Sequence, residues 1–348
     1  MKINTFTISN HSPVFIIAEL SANHNGSLEV AKETIRAAKR TGVDAIKLQT
    51  YTADTITLNV KTDDFRIKDT IWDGQYLYDL YQQAHTPWEW HRELFAVAKE
   101  EGLVCFSSPF DKTAVDFLEE LECPIYKIAS FEITDIPLIE YVASKGKLVI
   151  ISTGIADDSD IELAIATCRK VGNDQIILLK CTSAYPAKIE DANLVMIKDM
   201  ADKYGVTTGL SDHTMGTLVP ALSVAMGSKV IEKHFILNKS IGGPDASFSL
   251  DEKEFTEMVK AVRDAEKAFG TIDYSLTESK IKSRTFSRSL YVAEDIKKGE
   301  VLTEKNIRSV RPGYGLHPKY LKDVIGKRVD VDLEKGMALK LEQIEVVK

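Results

Sequence analysis

Val206-Thr207-Thr208-Gly209-Leu210-Ser211-Asp212-His213 is followed, after an amphipathic stretch at 217–227, by Lys229-Val230-Ile231-Glu232-Lys233-His234. Each segment is a short run rich in β-branched and apolar residues, and each closes on a histidine. Such runs, separated by helical periodicity, read as parallel strands buried on both faces. The two histidines are 21 residues apart, too far for one helix. That distance suits neighbouring parallel strands joined by a helix, which would aim both rings into one pocket. A lone histidine reads equally as a satisfied polar residue. A matched pair reads as a candidate metal site, because neutral imidazole suits Mn, Fe, Zn and similar ions.

Working outward, six more apolar runs precede these two. They are Val14-Phe15-Ile16-Ile17-Ala18, Ala45-Ile46-Lys47-Leu48, Leu103-Val104-Cys105-Phe106, Ile125-Tyr126-Lys127-Ile128, Leu148-Val149-Ile150-Ile151 and Ile176-Ile177-Leu178-Leu179. Helical patterns alternate with the runs at 28–41, 88–101, 112–121, 135–145, 159–171, 191–204 and 217–227, and one at 251–269 follows the eighth. Ser27, Asp111 and Ser159 stand as cap-like residues before three of them. Eight strand–helix repeats predict a (β/α)8 TIM barrel. The doubly wound alternative lacks a Gly-x-Gly-x-x-Gly turn after the first strand. The long connection 50–88 is rich in charge and aromatics, and is expected to carry extra structure over the barrel mouth.

The chain has 348 residues, 44% hydrophobic and 28% charged, as in ordinary globular proteins. Its net charge of −8 argues against a general nucleic-acid binder. No apolar stretch approaches the ~20 residues of a membrane span, and no signal peptide is read at Met1-Lys2-Ile3. Cys105, Cys123, Cys168 and Cys181 lie singly, and are expected to be reduced packing residues of a cytoplasmic protein. Near residue 271 the pattern changes. Residues 1–270 read as the barrel domain and 271–288 as a polar linker. Residues 289–348 read as a small domain of short strand-like runs and several glycines. Basic residues outnumber acidic ones in this last segment, so it is either a cap for an anionic substrate or a solvated face.

Each strand delivers polar groups at its C-terminal end, where barrel enzymes build their sites. In order these are Glu19, Lys47 with Gln49, Ser107 with Ser108, Lys127 with Ser130, Ser152 with Thr153, Lys180 with Thr182 and Ser183, Ser211 with His213, and Glu232 with His234. Lysines supply charge and hydroxyls supply donors, a set that suits a phosphate and a carboxylate. Some of these groups are alternatively fillers of the barrel's interior layers.

These residues carry a resemblance. The chain resembles the sialic acid synthase family, through Ala18-Glu19-Leu20-Ser21-Ala22-Asn23-His24-Asn25-Gly26, Ile46-Lys47-Leu48-Gln49, Ser107-Ser108-Pro109-Phe110 and Tyr126-Lys127-Ile128-Ala129-Ser130. The match continues through Ser152-Thr153-Gly154, Cys181-Thr182-Ser183-Ala184-Tyr185-Pro186, Gly209-Leu210-Ser211-Asp212-His213, Glu232-Lys233-His234 and Gly243-Pro244-Asp245. The tail, from Arg288-Ser289-Leu290-Tyr291 to Val310-Arg311-Pro312-Gly313-Tyr314-Gly315-Leu316, resembles the family's antifreeze-like (SAF, β-clip) domain. The Glu19-Leu20-Ser21-Ala22-Asn23 opening, Ser108, Ser183 and the stretch 77–91 resemble the branch that makes pseudaminic acid.

The resemblance implies condensation of phosphoenolpyruvate with an acetamido sugar. The implied acceptor is 2,4-diacetamido-2,4,6-trideoxy-altrose rather than N-acetylmannosamine or the diacetamido trideoxymannose of legionaminic acid synthases. It implies that His213 and His234 hold a divalent ion, Mn2+ or Mg2+ with Co2+ as a third option. Glu19 is the implied base or orienter of a metal-bound water, with Glu232 as a second carboxylate. Lys47, Ser108, Lys127, Ser130, Ser152, Ser183 and Ser211 are implied to hold phosphoenolpyruvate. Gln49, Tyr185, Asp245 and Arg311 are implied to contact the sugar, with Arg311 reaching across a domain-swapped homodimer. Two other classes stay open: a Schiff-base aldolase using Lys127, which leaves the histidine pair without a role, and a sugar-binding barrel without catalysis.

Overall fold

The computed structural model describes residues 1–3, 6–9 and 11–345. The chain divides into two compact units, Met1–Gly270 and Thr271–Lys348.

The first unit is a closed barrel of eight parallel strands. They are β1 (Phe15–Glu19), β2 (Ala45–Thr50), β3 (Val104–Pro109), β4 (Ile125–Ile128), β5 (Leu148–Ser152), β6 (Ile176–Cys181), β7 (Thr207–Asp212) and β8 (Val230–His234). Each strand pairs with the next, and β8 closes on β1 with His234 opposite Glu19. Eight helices follow the strands in turn: α1 (Leu28–Arg40), α2 (Trp88–Glu100), α3 (Lys112–Glu120), α4 (Ile136–Ala143), α5 (Asp158–Lys170), α6 (Val195–Tyr204), α7 (Leu218–Ala225) and α8 (Glu252–Phe269). The barrel expected from the eight apolar runs is therefore present, with boundaries shifted by a few residues at most strand ends.

Local chemistry starts and stops these elements. Ser27 caps α1 by accepting from the Val30 N–H, and Asp111 caps α3 by accepting from Thr113 and Ala114. The cap of α5 is Asp157 rather than Ser159. Its carboxylate accepts from the Asp160 N–H, and the Asp160 side chain answers as a capping box. Ser159 lies inside the helix and donates to Asp157 Oδ1 at 2.7 Å. The helix expected to begin at 191 begins at Val195, after a 3-10 turn at Ile189–Asp191.

Alternation of side chains along each strand divides two hydrophobic layers. Ile16, Ala18, Ile46, Leu48, Leu210 and Ile231 face outward and pack on α1, α2, α7 and α8 through residues such as Ile35, Leu94, Val219 and Phe255. Phe15, Ile17, Ala45, Phe106, Leu179 and Val230 alternate with these and face inward, in a second cluster that also takes in the packing of α3, α4 and α5 on the strands. Ile3, in the Lys2–Ile3 strand that pairs antiparallel with Phe6–Thr7, and Ile8 join the same cluster. Gly209 is required by close approach: a Cβ there would lie 2.2 Å from the Val230 carbonyl oxygen and 2.8 Å from Leu179 Cδ2.

The connection 50–88 carries two short helices, Ala53–Ile56 and Leu77–Ala84, and a 3-10 turn at Asp63–Phe65. It lies over the mouth, where Trp72 Nε1 donates to the Pro244 carbonyl at 3.1 Å.

The second unit has its own core of Leu290, Val292, Ile296, Leu302, Ile307, Val324, Val329, Leu333, Leu339 and Ile344. Ser289–Val292 pairs antiparallel with Ile307–Val310. The polar stretch 271–288, read from the sequence as a linker, contains a helix at Glu278–Arg284 capped by Thr277 and belongs to this unit.

Candidate active site

A cavity of about 370 Å3 opens at the C-terminal ends of the strands. Of the site residues implied by the family resemblance, all but Ser108 and Arg311 line it, whereas Ser107, Thr153, Lys180 and Thr182, also singled out at the strand ends, do not. Ser108 stands behind Lys47 and accepts from its Nζ at 3.3 Å. Ser107 points to the opposite face, 2.6 Å from the Thr50 hydroxyl. Arg311 follows the Ile307–Val310 strand of the second unit and is exposed.

The floor of the cavity is a buried network of two ammoniums and two carboxylates. Lys47 Nζ lies 2.6 Å from Glu19 Oε2 and 3.4 Å from Glu232 Oε1. Lys127 Nζ lies 3.4 Å from the same Glu232 oxygen. Gln49 donates to Glu19 Oε1 at 2.9 Å. Burial raises the Glu19 carboxyl to about 7, against the pull of the Lys47 charge and with the push of Glu232. Burial also works on Glu232, but Lys127 and Lys47 outweigh it and hold that carboxyl below its usual value. The lysines diverge too. Burial, with the charge of Lys47, depresses Lys127 against Glu232, whereas Glu19 and Glu232 overcome burial and keep Lys47 raised. Two carboxylates pushed apart in this way are suited to different proton tasks.

Above the network stand the histidines, with ring centroids 5.3 Å apart. His213 Nδ1 is 2.9 Å from the Thr182 carbonyl. A carbonyl only accepts, so Nδ1 carries the hydrogen, and in the neutral ring the Nε2 lone pair is left for another partner. Burial, reinforced by the neighbouring positive groups, pushes the His234 imidazole well below its ordinary range. Its Nδ1 is buried without a hydrogen-bond partner, and Asp245 Oδ2 lies 3.9 Å away. Among the described residues no three His, Cys, Asp or Glu side chains converge as a metal-binding group. The fit to a divalent ion is thus that of two imidazoles with open positions rather than a closed protein cage. The absence of a third protein ligand disfavours a structural Zn site.

The serines form the third part. Ser130 Oγ accepts from the Gly154 N–H at 2.9 Å, and its hydroxyl also bonds the Cys181 thiol. The Ser152 hydroxyl and Glu232 Oε2 are buried without a hydrogen-bond partner. Gly154 leaves space that the site uses: a Cβ there would lie 2.2 Å from Ser183 Oγ and 2.6 Å from Ser130 Oγ. Buried polar atoms of this kind are costly unless a ligand satisfies them.

The walls include residues that the sequence reading did not place in the site. Cys181 is buried as expected, yet it lines the cavity, with Sγ 4.0 Å from His213 Nδ1. Its place two residues before Ser183, at the end of β6, was the available sign. Glu132 also lines the cavity, and burial raises its carboxyl to about 7. Trp72, from the long connection, packs on Tyr185 and Phe248, which in turn pack on His213 and His234. Ile56, Ile67, Leu77 and Leu80 of the same connection make the outer cavity apolar.

A parallel barrel whose mouth gathers lysines, carboxylates, hydroxyls and paired imidazoles has the layout of a barrel enzyme acting on an anionic substrate. The chain belongs to the NeuB family, whose model matches residues 34–274, and an SAF domain model matches residues 287–345. It is 50% identical over 340 residues to a protein named pseudaminic acid synthase from Campylobacter jejuni, covering 98% of each chain. It is 38% identical over 337 residues to N,N'-diacetyllegionaminic acid synthase from Legionella pneumophila, covering 95% of this chain and 94% of that one. Among solved structures, spore coat polysaccharide biosynthesis protein SpsE from Bacillus subtilis matches with a TM-score of 0.68 and 32% identity, covering 100% of this chain and 99% of that chain.

Proposed function

We propose that this chain condenses phosphoenolpyruvate with 2,4-diacetamido-2,4,6-trideoxy-altrose, giving pseudaminic acid and inorganic phosphate. The observation that carries the reading is the buried Lys47–Glu19–Glu232–Lys127 network lying beneath the histidine pair in one cavity. The higher identity to the pseudaminic acid synthase than to the legionaminic acid synthase supports the choice of acceptor. The apolar outer wall suits the C6 methyl and second acetyl group of a diacetamido trideoxy sugar, of altrose or mannose configuration alike, better than the hydroxyls of N-acetylmannosamine.

In this reading Lys47 and Lys127 bind the carboxylate and phosphate of phosphoenolpyruvate, and the hydroxyls of Ser130, Ser152, Ser183 and Ser211 complete the anion site. Ser108 orients Lys47 from behind. His213 Nε2 and His234 would hold a divalent ion, Mn2+ or Mg2+ with Co2+ as a further option, and the ion would supply Lewis-acid polarisation of the acceptor aldehyde. C3 of phosphoenolpyruvate attacks the aldehyde carbon, water adds at C2, and phosphate leaves with C–O cleavage. Glu19, poised near neutrality, holds or moves the proton at its carboxylate, with Gln49 fixing one of the two oxygens. Glu232 stays ionised and balances the lysines. Gln49, Tyr185 and Asp245 orient the sugar, and the lid bearing Trp72 excludes water.

Two further parts rest on the family resemblance: a homodimer, and Arg311 of one copy serving the site of the other. A cytoplasmic setting agrees with four free buried cysteines. Among the described residues no helix is long and apolar enough to cross a membrane.

The test is phosphate release from phosphoenolpyruvate with a panel of acceptors at equal concentration. The altrose derivative is expected to give the fastest release. Faster release with N-acetylmannosamine or the diacetamido trideoxymannose would overturn the choice of acceptor, and no release with any would overturn the synthase reading.

A further inference from the structure

The two histidine strands share a second polar cluster on the opposite face of the barrel wall. Asp212 and Lys233 are register partners across β7 and β8, and each immediately precedes one histidine. Alternation turns Ser211, His213, Glu232 and His234 to the cavity and Asp212 and Lys233 to the helices. Lys233 Nζ lies 2.5 Å from Asp212 Oδ2, with both side chains buried at 0% and 2% exposure. The same ammonium donates to the carbonyl of Thr214, the residue after His213. Asp212 Oδ1 accepts from the Thr214 N–H at 3.0 Å and from its hydroxyl at 2.8 Å. None of the three lines the cavity.

The surrounding layer is apolar, with Leu210, Val219 and Ile231 in it. A buried ion pair in such a place is seldom more stable than an apolar pair of the same volume. What it supplies is geometry. The backbone on both sides of His213 is tied to one carboxylate and one ammonium, and that ammonium belongs to the strand that carries His234.

We propose that Asp212, Lys233 and Thr214 are positioning residues that set the spacing of His213 and His234, and thereby the affinity of the pair for a divalent ion. The proposal rests on the metal role given to the histidines above.

The probe is Mn2+ alone, titrated into the full chain and followed by the electron paramagnetic resonance of the free ion. The Asp212→Leu, Lys233→Met double variant is expected to keep its thermal midpoint yet bind Mn2+ about 10–100-fold more weakly, the usual effect of losing groups behind metal ligands. Its KM for phosphoenolpyruvate at saturating Mn2+ is expected to stay unchanged. Wild-type Mn2+ affinity, or an equal loss in that KM, overturns the proposal. If the double variant does not fold, Thr214→Val decides: weaker Mn2+ binding supports positioning and unchanged binding overturns it. His213→Ala separates the two readings, because Mn2+ binding by that variant at wild-type affinity defeats the metal role itself.

Discussion

Two layers of one barrel interior differ in what they hold. Ile17, Ala45, Phe106, Leu179 and Val230 are fully buried and, by strand alternation, face inward. Two residues further along the same strands stand Glu19, Lys47, Ser108, Cys181 and Glu232. Strand period places each pair on the same inward face, so backbone geometry is common to both layers. The lower layer is close-packed hydrocarbon, whose burial favours folding. The upper layer buries four charged groups and leaves Ser152 Oγ, Glu232 Oε2 and His234 Nδ1 without hydrogen-bond partners. An arrangement that opposes folding and faces a cavity is expected where ligands are held, in keeping with the division of labour between the two ends of such barrels.

If the layers divide stability from chemistry, their substitutions separate. Phe106→Ala in the lower layer is expected to destabilise the fold by about 3–5 kcal/mol, read from the denaturant midpoint. His213→Ala in the upper layer is expected to fold normally and lose phosphate release by about 100-fold or more, the upper range seen when even indirect metal partners are removed. Full activity of this variant in the presence of a chelator would defeat the metal role. The smallest effect sharpens the comparison. Gly154→Ala would press on Ser130 and Ser183, whose hydroxyls it would approach within 2.6 and 2.2 Å. A KM for phosphoenolpyruvate raised about tenfold, equivalent to about 1.4 kcal/mol, is expected with little change in thermal midpoint.

The lower layer and the wall were legible in the sequence because periodicity is local. Each strand begins within a residue of its apolar run, and the paired histidines fall at adjacent strand ends. The upper layer was legible as a list of strand-end residues but not as a network. Nothing local tells that Lys47 lies between Glu19 and Glu232, or that Ser108 stands behind it. Contacts across large sequence separations escaped for the same reason. Trp72 meets Pro244 through a chain segment with no regular period, and Asp212 meets Lys233 on a face that alternation hides behind the histidines. Ser159 looked like a cap because serine favours that place, whereas Asp157, two residues earlier, makes the capping box.

The division between the layers is tested most directly by replacing one charged pair with apolar groups of similar volume. For the Glu19→Leu, Lys47→Met double variant, the thermal midpoint and phosphate release would be measured on the same preparation. Apolar replacement of a buried pair is often neutral or stabilising. The expected result is a midpoint at or above that of the unaltered protein with no detectable phosphate release from phosphoenolpyruvate and the altrose acceptor. Phosphate release near the unaltered rate would contradict the assignment of this layer to chemistry.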